Sequence, residues 1–349
     1  MKIAASSLVA FTVALCTFSA CSPFKVSAPL QSQTKLFATT SASTEGSTKC
    51  YQRADEAIRN LWGRADLDAD EIAGACSEGV VWEDMREKSS VVGRVAVAEL
   101  LRSQFPEGAM LAVERVADGS KSAGFTWSRC SSSGGDGETG LRGTTYVRLN
   151  DEGKIECVKE LAEPLVKPGD LTLKLLQAAT KDVPRVAKNP TFVPATPTSC
   201  SQIVDYIWNE AYPKDGPIEE SLRFYTDNIV YQDFNYENPI VGIKDVESFL
   251  RDWSDFPGIE FRIQDLSDGE VSCCFTWKVR VNGEEGPQGI SFYETDGKGK
   301  IQFIRDCPAP SMKPAPLGTV ASLLRPHLRV FQGRKGYVQG LPQDIAARF

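Results

Sequence analysis

Histidine is nearly absent from this chain, which has a single one, His327, in 349 residues. Any Ser-His-Asp or Cys-His catalytic arrangement would have to use that residue. A zinc site built from several histidines is excluded. We expect His327 to be an ordinary surface or helix-terminus residue, and we predict no metal site and no cofactor.

An excess of positive charge is also lacking. The chain has 39 Lys and Arg against 46 Asp and Glu, a formal net charge of -7. A nucleic-acid groove needs a basic stripe that neutralises phosphates, so no nucleic-acid partner is expected.

No C-x-x-C motif occurs among the ten cysteines, which gives no sign of a zinc knuckle or a thioredoxin-type site. Cys273 and Cys274 are neighbours on a predicted strand and point to opposite faces, so a bond between them would be strained. We expect reduced thiols, and a bridge from Cys50 to another exposed cysteine stays open.

Long apolar runs are limited to the N-terminus. The run from Leu8 to Phe18 is too short to span a bilayer, and small residues follow it, which predicts a signal peptide at 1–20. Residues 21–49 are rich in Ser and Thr and poor in acids, as in a transit peptide. This leader resembles the bipartite leader of algae with secondary plastids. We therefore predict a plastid location, with secretion as the alternative, and no integral membrane segment in the mature chain.

The mature chain contains an internal duplication, and repeats of this length indicate duplicated structural units. Three pairs of segments match in order: 80–102 with 229–251, 118–127 with 268–277, and 153–171 with 299–317. A Pro-rich stretch separates the copies and favours an extended linker. The predicted organisation is domain 1 at 50–188, a linker at 189–199, domain 2 at 200–335 and a polar tail at 336–349. The insert at 130–140 predicts a long hairpin loop.

Each repeat has the same predicted order of elements. Two helices come first, then a short strand, a third helix, three alternating strands and a final strand. The predicted strands are 80–84, 110–117, 122–130, 141–149 and 155–161, and their counterparts 229–233, 259–266, 271–281, 287–295 and 301–306. Helices followed by an antiparallel meander indicate the α+β class.

Sequence details of both repeats resemble a known superfamily. The segment YTDNIVYQD at 225–233 resembles the segment of ketosteroid isomerases and SnoaL-type cyclases that ends in an aspartate at the pocket mouth, and CSEGVVWED at 76–84 is its counterpart. A glycine and a helix follow in each copy, at Gly93 and Gly242. The chain thus resembles a tandem nuclear transport factor 2-like (SnoaL-like) protein, similar to plastid-targeted plant and algal members of unassigned function. The resemblance implies two cone-shaped domains, each with helices packed on a strongly curved antiparallel sheet.

The resemblance implies candidate catalytic residues. Asp84 and Asp233 fall where an isomerase holds its proton-abstracting base, and Tyr206 lies where the first helix supplies an oxyanion donor. A carboxylate in an apolar pocket has a raised pKa and can shuttle a proton. The alternative is that each aspartate accepts backbone hydrogen bonds in the following loop.

The remaining pocket candidates follow from alignment and from strand alternation. Thr145 and Ser291 occupy the position of the isomerase acid donor, where a hydroxyl donates only one ordinary bond. This difference argues against ketosteroid-isomerase chemistry. The ligand-pocket candidates are Trp82, Trp127, Thr145, Tyr231, Trp277 and Ser291. For Trp127 and Trp277 core packing is the alternative. Charges at Glu160, Glu163, Arg305 and Asp306 are expected to be solvated on the rim.

Three functions fit these features. The favoured one is a non-catalytic plastid protein that binds a small apolar ligand or a protein partner. The second is an isomerase, cyclase or dehydratase that uses a pocket aspartate as base, and the third is an assembly module. An interior filled by Trp277, Phe275 and Tyr231 would favour assembly, whereas a deep apolar cavity would favour a ligand. We also expect the two repeats to pair through their sheet faces as an intramolecular pseudo-dimer.

Overall fold

The computed structural model describes most of the duplicated region. The described residues are 49–64, 67–105, 110–130, 141–164, 167–180, 193–213, 216–254, 256, 259–281 and 283–309. The predicted leader up to residue 48, residues 189–192 of the linker, the loop at 131–140, His327 and the tail at 336–349 lie outside them. Both repeats lie in one compact unit, Met1–Ser311, and a second unit, Met312–Phe349, lies outside the described residues.

The first repeat begins with helices α1 and α2 and continues into a sheet. Its elements are α1 (Ala54–Leu61), α2 (Ala69–Gly74), β1 (Cys76–Asp84), β2 (Val91–Val92), α3 (Arg94–Gln104), β3 (Met110–Val116), β4 (Ser122–Cys130), β5 (Arg142–Leu149), β6 (Ile155–Ala162) and α4 (Asp170–Thr180).

The second repeat follows the same order, except that its first helix ends in a π-helical segment, Tyr206–Ala211, and that no counterpart of α4 lies within the described residues. Its elements are α5 (Cys200–Asp205), α6 (Ile218–Leu222), β7 (Tyr225–Asp233), β8 (Ile240–Val241), α7 (Ile243–Ser254), β9 (Ile259–Leu266), β10 (Ser272–Val281), β11 (Glu284–Thr295) and β12 (Ile301–Pro308). The predicted α+β class, with two tandem domains of helices and sheet, is confirmed.

Each repeat forms a six-stranded sheet, in the orders β2-β1-β6-β5-β4-β3 and β8-β7-β12-β11-β10-β9. The sheets are antiparallel as predicted except for one strand pair in each repeat, because β1 pairs with β6 in parallel and β7 pairs with β12 in parallel. The reason is the helix after β2, which carries the chain across to the far edge of the sheet. The meander then returns to β1 with its last strand running in the same direction.

Local sequence explains why these elements form. The buried residues of α1 are Ala54, Ala57, Ile58 and Leu61, spaced three or four apart so that one face of the helix covers the sheet. The Asp68 carboxylate caps α2 by accepting from the backbone N–H groups of Asp70 and Glu71 at 2.9 and 3.1 Å.

The glycine that precedes the third helix of each repeat is required by its backbone conformation. Gly93 and Gly242, which precede α3 and α7, both have φ of 95°. That conformation is strained for any residue with a Cβ atom.

The two sheets contact each other through β4, β5 and β6 of the first repeat and β10, β11 and β12 of the second. Phe234, Cys274, Phe292 and Cys307 of the second repeat belong to the same buried cluster as the core of the first repeat. The hydroxyl of Thr144 lies 3.1 Å from the Cys307 sulfur across this contact. Among the described residues, no helix has both the length and the apolar character needed to cross a membrane.

Candidate functional site

In both repeats the central strands bring two carboxylates side by side. Asp84 at the end of β1 is the register partner of Glu160 on β6, and Asp233 at the end of β7 is the partner of Asp306 on β12. The adjacent strand adds a hydroxyl residue, because Thr145 is paired with Glu160 and Ser291 with Asp306.

The second repeat holds its acid in a closed hydrogen-bond network. Ser291 Oγ donates to Asp306 Oδ1 at 2.5 Å, and the Tyr231 hydroxyl donates to Asp306 Oδ2. Trp277 Nε1 donates to Ser291 Oγ at 2.8 Å. Burial raises the pKa of Asp306, and its two hydroxyl donors oppose that rise. Burial, together with the neighbouring charge of Asp306, raises the pKa of Asp233 to about 7.

The buried acid of the first repeat, Glu160, and the groups around it make fewer hydrogen bonds. Gln104 Nε2 donates to Glu160 Oε1 at 3.1 Å, and burial raises the pKa of Glu160. The indole N–H of Trp82 lies near enough to lower that pKa, yet Trp82 Nε1 has no hydrogen-bond partner among the described residues. Gln104 Oε1 and Arg129 Nε are also buried without a partner there.

Arg129 is the least expected member of this cluster. Its guanidinium lies 4.7 Å from the Phe105 ring centroid and 5.6 Å from that of Trp127. Burial lowers its pKa, and the charge of Glu160 partly opposes this. A half-buried cation over two aromatic faces is suited to an acceptor group such as a carbonyl or carboxylate.

The two predicted bases differ in their surroundings. Asp84 is held by Arg86, whose Nη2 donates to Asp84 Oδ2 at 2.7 Å and whose backbone N–H donates to Oδ1 at 2.9 Å. Asp233 accepts from the backbone N–H of Asn235 at 2.8 Å. Both aspartates therefore make the loop hydrogen bond that was the alternative to catalysis. Of these two aspartates, Asp84 pairs with Arg86, whereas Asp233 makes no ion pair with a described residue.

The structure separates Tyr206 from the acid pair of its repeat. Its hydroxyl donates to Glu220 on α6 at 2.6 Å. Tyr231 instead supplies the phenol that contacts the second-repeat acid. The role of oxyanion donor predicted for Tyr206 therefore has no support in its contacts.

Trp127 and Trp277 are buried and bonded, with exposed fractions of 3% and 7%. Trp127 Nε1 donates to Thr145 Oγ1 at 2.9 Å, the counterpart of the bond from Trp277 to Ser291. Each indole lies over a glycine of the next strand. A Cβ on Gly143 or Gly289 would lie 2.3 Å from the tryptophan Cζ2.

The expected rim charges are not solvated. Glu160, Arg305 and Asp306 are exposed by only 9%, 3% and 8%, because β6 and β12 lie inside their sheets with both faces covered. Glu163 is bridged by Arg142, at 2.7 Å, and by Lys167.

The sequence reasoning thus missed both buried acids. The available signal was an acid at the same position of both repeats, inside strands that are otherwise rich in apolar residues. Within the described ranges, no group of three or more His, Cys, Asp and Glu side chains is arranged to hold a metal.

Comparison with known proteins gives similarity to single repeats. A SnoaL-like family protein from Agrobacterium tumefaciens is 22% identical over 31% of this chain and 93% of its own, with a TM-score of 0.25. An NTF2-like protein of unknown function from Cytophaga hutchinsonii is 12% identical over 33% and 94%, with a TM-score of 0.27. The epoxide hydrolase/cyclase-like enzyme SalBIII is 20% identical over 31% and 84%, with a TM-score of 0.25. No protein-family model and no curated protein matches the sequence.

Proposed function

We propose that this chain is a small-ligand-binding protein whose first repeat holds a compact, mostly apolar molecule bearing a carbonyl or hydroxyl group. The observation that carries the proposal is a set of buried polar atoms around Glu160. Arg129 Nε and Gln104 Oε1 have no hydrogen-bond partner among the described residues, and Trp82 Nε1 makes no bond of normal geometry there although it lies close enough to Glu160 to lower its pKa. Buried polar atoms in native proteins are nearly always bonded, and an exception calls for an explanation such as strain, a catalytic role or a bound water or ion. We take a bound ligand as the explanation here.

The chemistry of these atoms defines the ligand class. Trp82 and Arg129 offer N–H donors, while Gln104 offers an acceptor. Glu160 adds a buried carboxyl whose pKa is raised by burial. A ligand with one acceptor and one donor beside apolar carbon would satisfy this set, with aromatic faces of Phe105 and Trp127 beside it.

The second repeat differs from the first, because its buried acid is bonded by protein hydroxyls. Tyr231, the counterpart of Trp82, is bonded to Asp306, and Trp277 and Ser291 complete that network. Tyr231, Phe275 and Trp277 are all buried. An interior in which these aromatic side chains are buried and the acid is bonded by protein hydroxyls is suited to a structural role rather than to holding a ligand.

Native mass spectrometry of the protein purified from its source tests the proposal. We expect the wild-type chain to retain a small molecule and Trp82→Phe to lose affinity about fivefold, since one neutral hydrogen bond contributes about 1 kcal/mol. The matched control is Tyr231→Phe in the second repeat, which should retain the ligand. Wild-type protein without any retained mass, or a ligand lost from Tyr231→Phe but kept by Trp82→Phe, would contradict the proposal.

An enzymatic function remains the second candidate because of one observation, the pKa of about 7 at Asp233. A carboxyl with that pKa can take up and release a proton near neutral pH. Asp233→Asn separates the candidates. Turnover would disappear in an enzyme, whereas ligand retention by the first repeat should be unchanged.

A plastid location for this protein is part of the same proposal and rests on the leader composition alone. Fusion of residues 1–49 to a fluorescent protein in a secondary-plastid alga tests it. Secretion of the fusion would contradict the plastid location.

A further inference from the structure

The contact between the repeats has an approximate two-fold symmetry. The Asp118 carboxylate accepts from the backbone N–H groups of Glu270 and Ser272 at 2.9 and 2.7 Å. Asp268, its counterpart, accepts from the backbone N–H of Ser120 at 2.7 Å. Each repeat thus binds the same turn of the other, as in an isologous dimer.

The charged residues at this contact do not follow the two-fold symmetry, because arginines of the first repeat face acids of the second. Arg115 Nη1 lies 2.5 Å from Glu294 Oε1, and Arg148 Nη1 lies 2.8 Å from Asp265 Oδ1. The strand register makes Arg115 the counterpart of Asp265, since they pair with Thr126 and Thr276. Likewise Arg148 is the counterpart of Glu294, since they pair with Ser122 and Ser272.

In four of the five ion pairs between described residues of the two repeats the base lies on the first repeat, and in the fifth, Arg305 with Glu114 at 2.7 Å, it lies on the second. A pair of first repeats would place Arg115 against Arg148 twice, and a pair of second repeats would place Asp265 against Glu294 twice. Like charges in contact disfavour the wrong partner, and their arrangement selects partners more than it adds affinity.

Shape gives an independent observation at the same contact. Gly124 and Cys274 are counterparts, and a Cβ on Gly124 would lie 2.3 Å from the Cys274 sulfur. The cysteine of one repeat thus fills the space that the glycine of the other leaves. Two second repeats would bring two cysteine side chains together there, and two first repeats would leave a gap.

We infer that the sheet face of each repeat is built to bind the face of the other repeat and to reject its own copy. The partner of the basic face, which carries Arg115 and Arg148, is the acidic face, which carries Asp265 and Glu294. The duplication has thus become an obligate unlike pair, which no longer forms through these faces between two identical repeats.

Charge exchange in the full chain tests this inference. Arg115→Glu with Arg148→Glu should lower the Tm by roughly 3–6 °C, because it places acids against acids. Adding Glu294→Arg should restore about half of that loss, and Asp265 is left unchanged because it also binds the Lys159 ammonium at 2.7 Å. The matched control, Arg102→Glu with Arg251→Glu, makes the same change in net charge on exposed helix residues and should lower the Tm less.

A second measurement reads the choice of partner directly. A protease site placed within residues 183–192 of the full chain would allow the folded protein to be cut between its repeats. Native mass spectrometry should then show one complex of the two unlike halves for the wild type, and a larger fraction of separated halves for Arg115→Glu with Arg148→Glu than for the threefold variant that adds Glu294→Arg. Wild-type halves that separate or form like pairs, or a threefold variant no more stable than the double variant, would overturn the inference.

Discussion

Asp118 offers the sharpest stability prediction, because one carboxylate of the first repeat holds a turn of the second. It accepts from the backbone N–H groups of Glu270, Val271 and Ser272 at 2.9, 3.2 and 2.7 Å. Ser272 is buried, whereas the N–H groups of Glu270 and Val271 belong to exposed contacts and can bind water instead. In Asp118→Ala we assign about 1.5–3 kcal/mol to the partly buried charged bond and about 0.5 kcal/mol to each exposed one. The expected loss is roughly 2.5–4 kcal/mol.

The assay is urea unfolding of the full chain at pH 7, compared among three variants. Asp118→Asn keeps one acceptor oxygen for Ser272 and should lose less than Asp118→Ala. Asp151→Ala is the control, because Asp151 is fully exposed and bonded only to Lys121 within the described residues. That control should unfold with the wild type, as isolated surface ion pairs contribute little.

The pH dependence follows from the pKa of Asp118. Burial alone would raise this pKa, but the backbone donors outweigh burial and lower it. The stabilisation is therefore present above the unfolded pKa of about 3.9 and is lost as the pH falls through the lower folded value. The gap between wild type and Asp118→Ala should shrink below about pH 4. An Asp118→Ala chain that unfolds like Asp151→Ala, or a gap that is unchanged at acid pH, would refute the reasoning.

Two further predictions concern buried titratable groups. Because the pKa of Asp233 is raised from 3.8 to about 7, the folded chain should lose stability as the pH rises through that range. Asp233→Asn should remove that loss, for a gain of at most about 4 kcal/mol above pH 7, and equal unfolding curves for both chains at pH 5 and pH 8 would contradict it. Burial raises the pKa of Cys273 and Cys274 well above 9, so iodoacetamide should label the exposed Cys50 in the native chain and these two only after unfolding. Rapid native labelling of Cys274, read by peptide mass mapping, would contradict its packing against Gly124.

Much of the fold is readable from the sequence because its signals are local. The duplicated segments, the alternation of apolar residues and the turn glycines place nearly every strand within a few residues of its observed bounds. The loop hydrogen bonds of Asp84 and Asp233 are local in the same way. Each carboxylate accepts from the backbone N–H two residues further along the chain. These features need no knowledge of distant parts of the chain.

The candidate site depends instead on which strands become neighbours. Alternation shows that Glu160 and Asp306 lie on one face of a strand, but it does not show what covers that face. Their burial follows from the parallel pairing of β6 with β1 and of β12 with β7. That pairing arises because the helix before the meander carries the chain to the far edge of the sheet.

The ion pairs between the two repeats likewise depend on the tertiary structure. The sequence alone contains Arg115, Arg148, Asp265 and Glu294 as unremarkable strand residues, and the duplication shows which are counterparts. Only the packing of one sheet on the other places each arginine against an acid, because contact between distant segments is set by the faces that burial brings together and not by spacing along the chain.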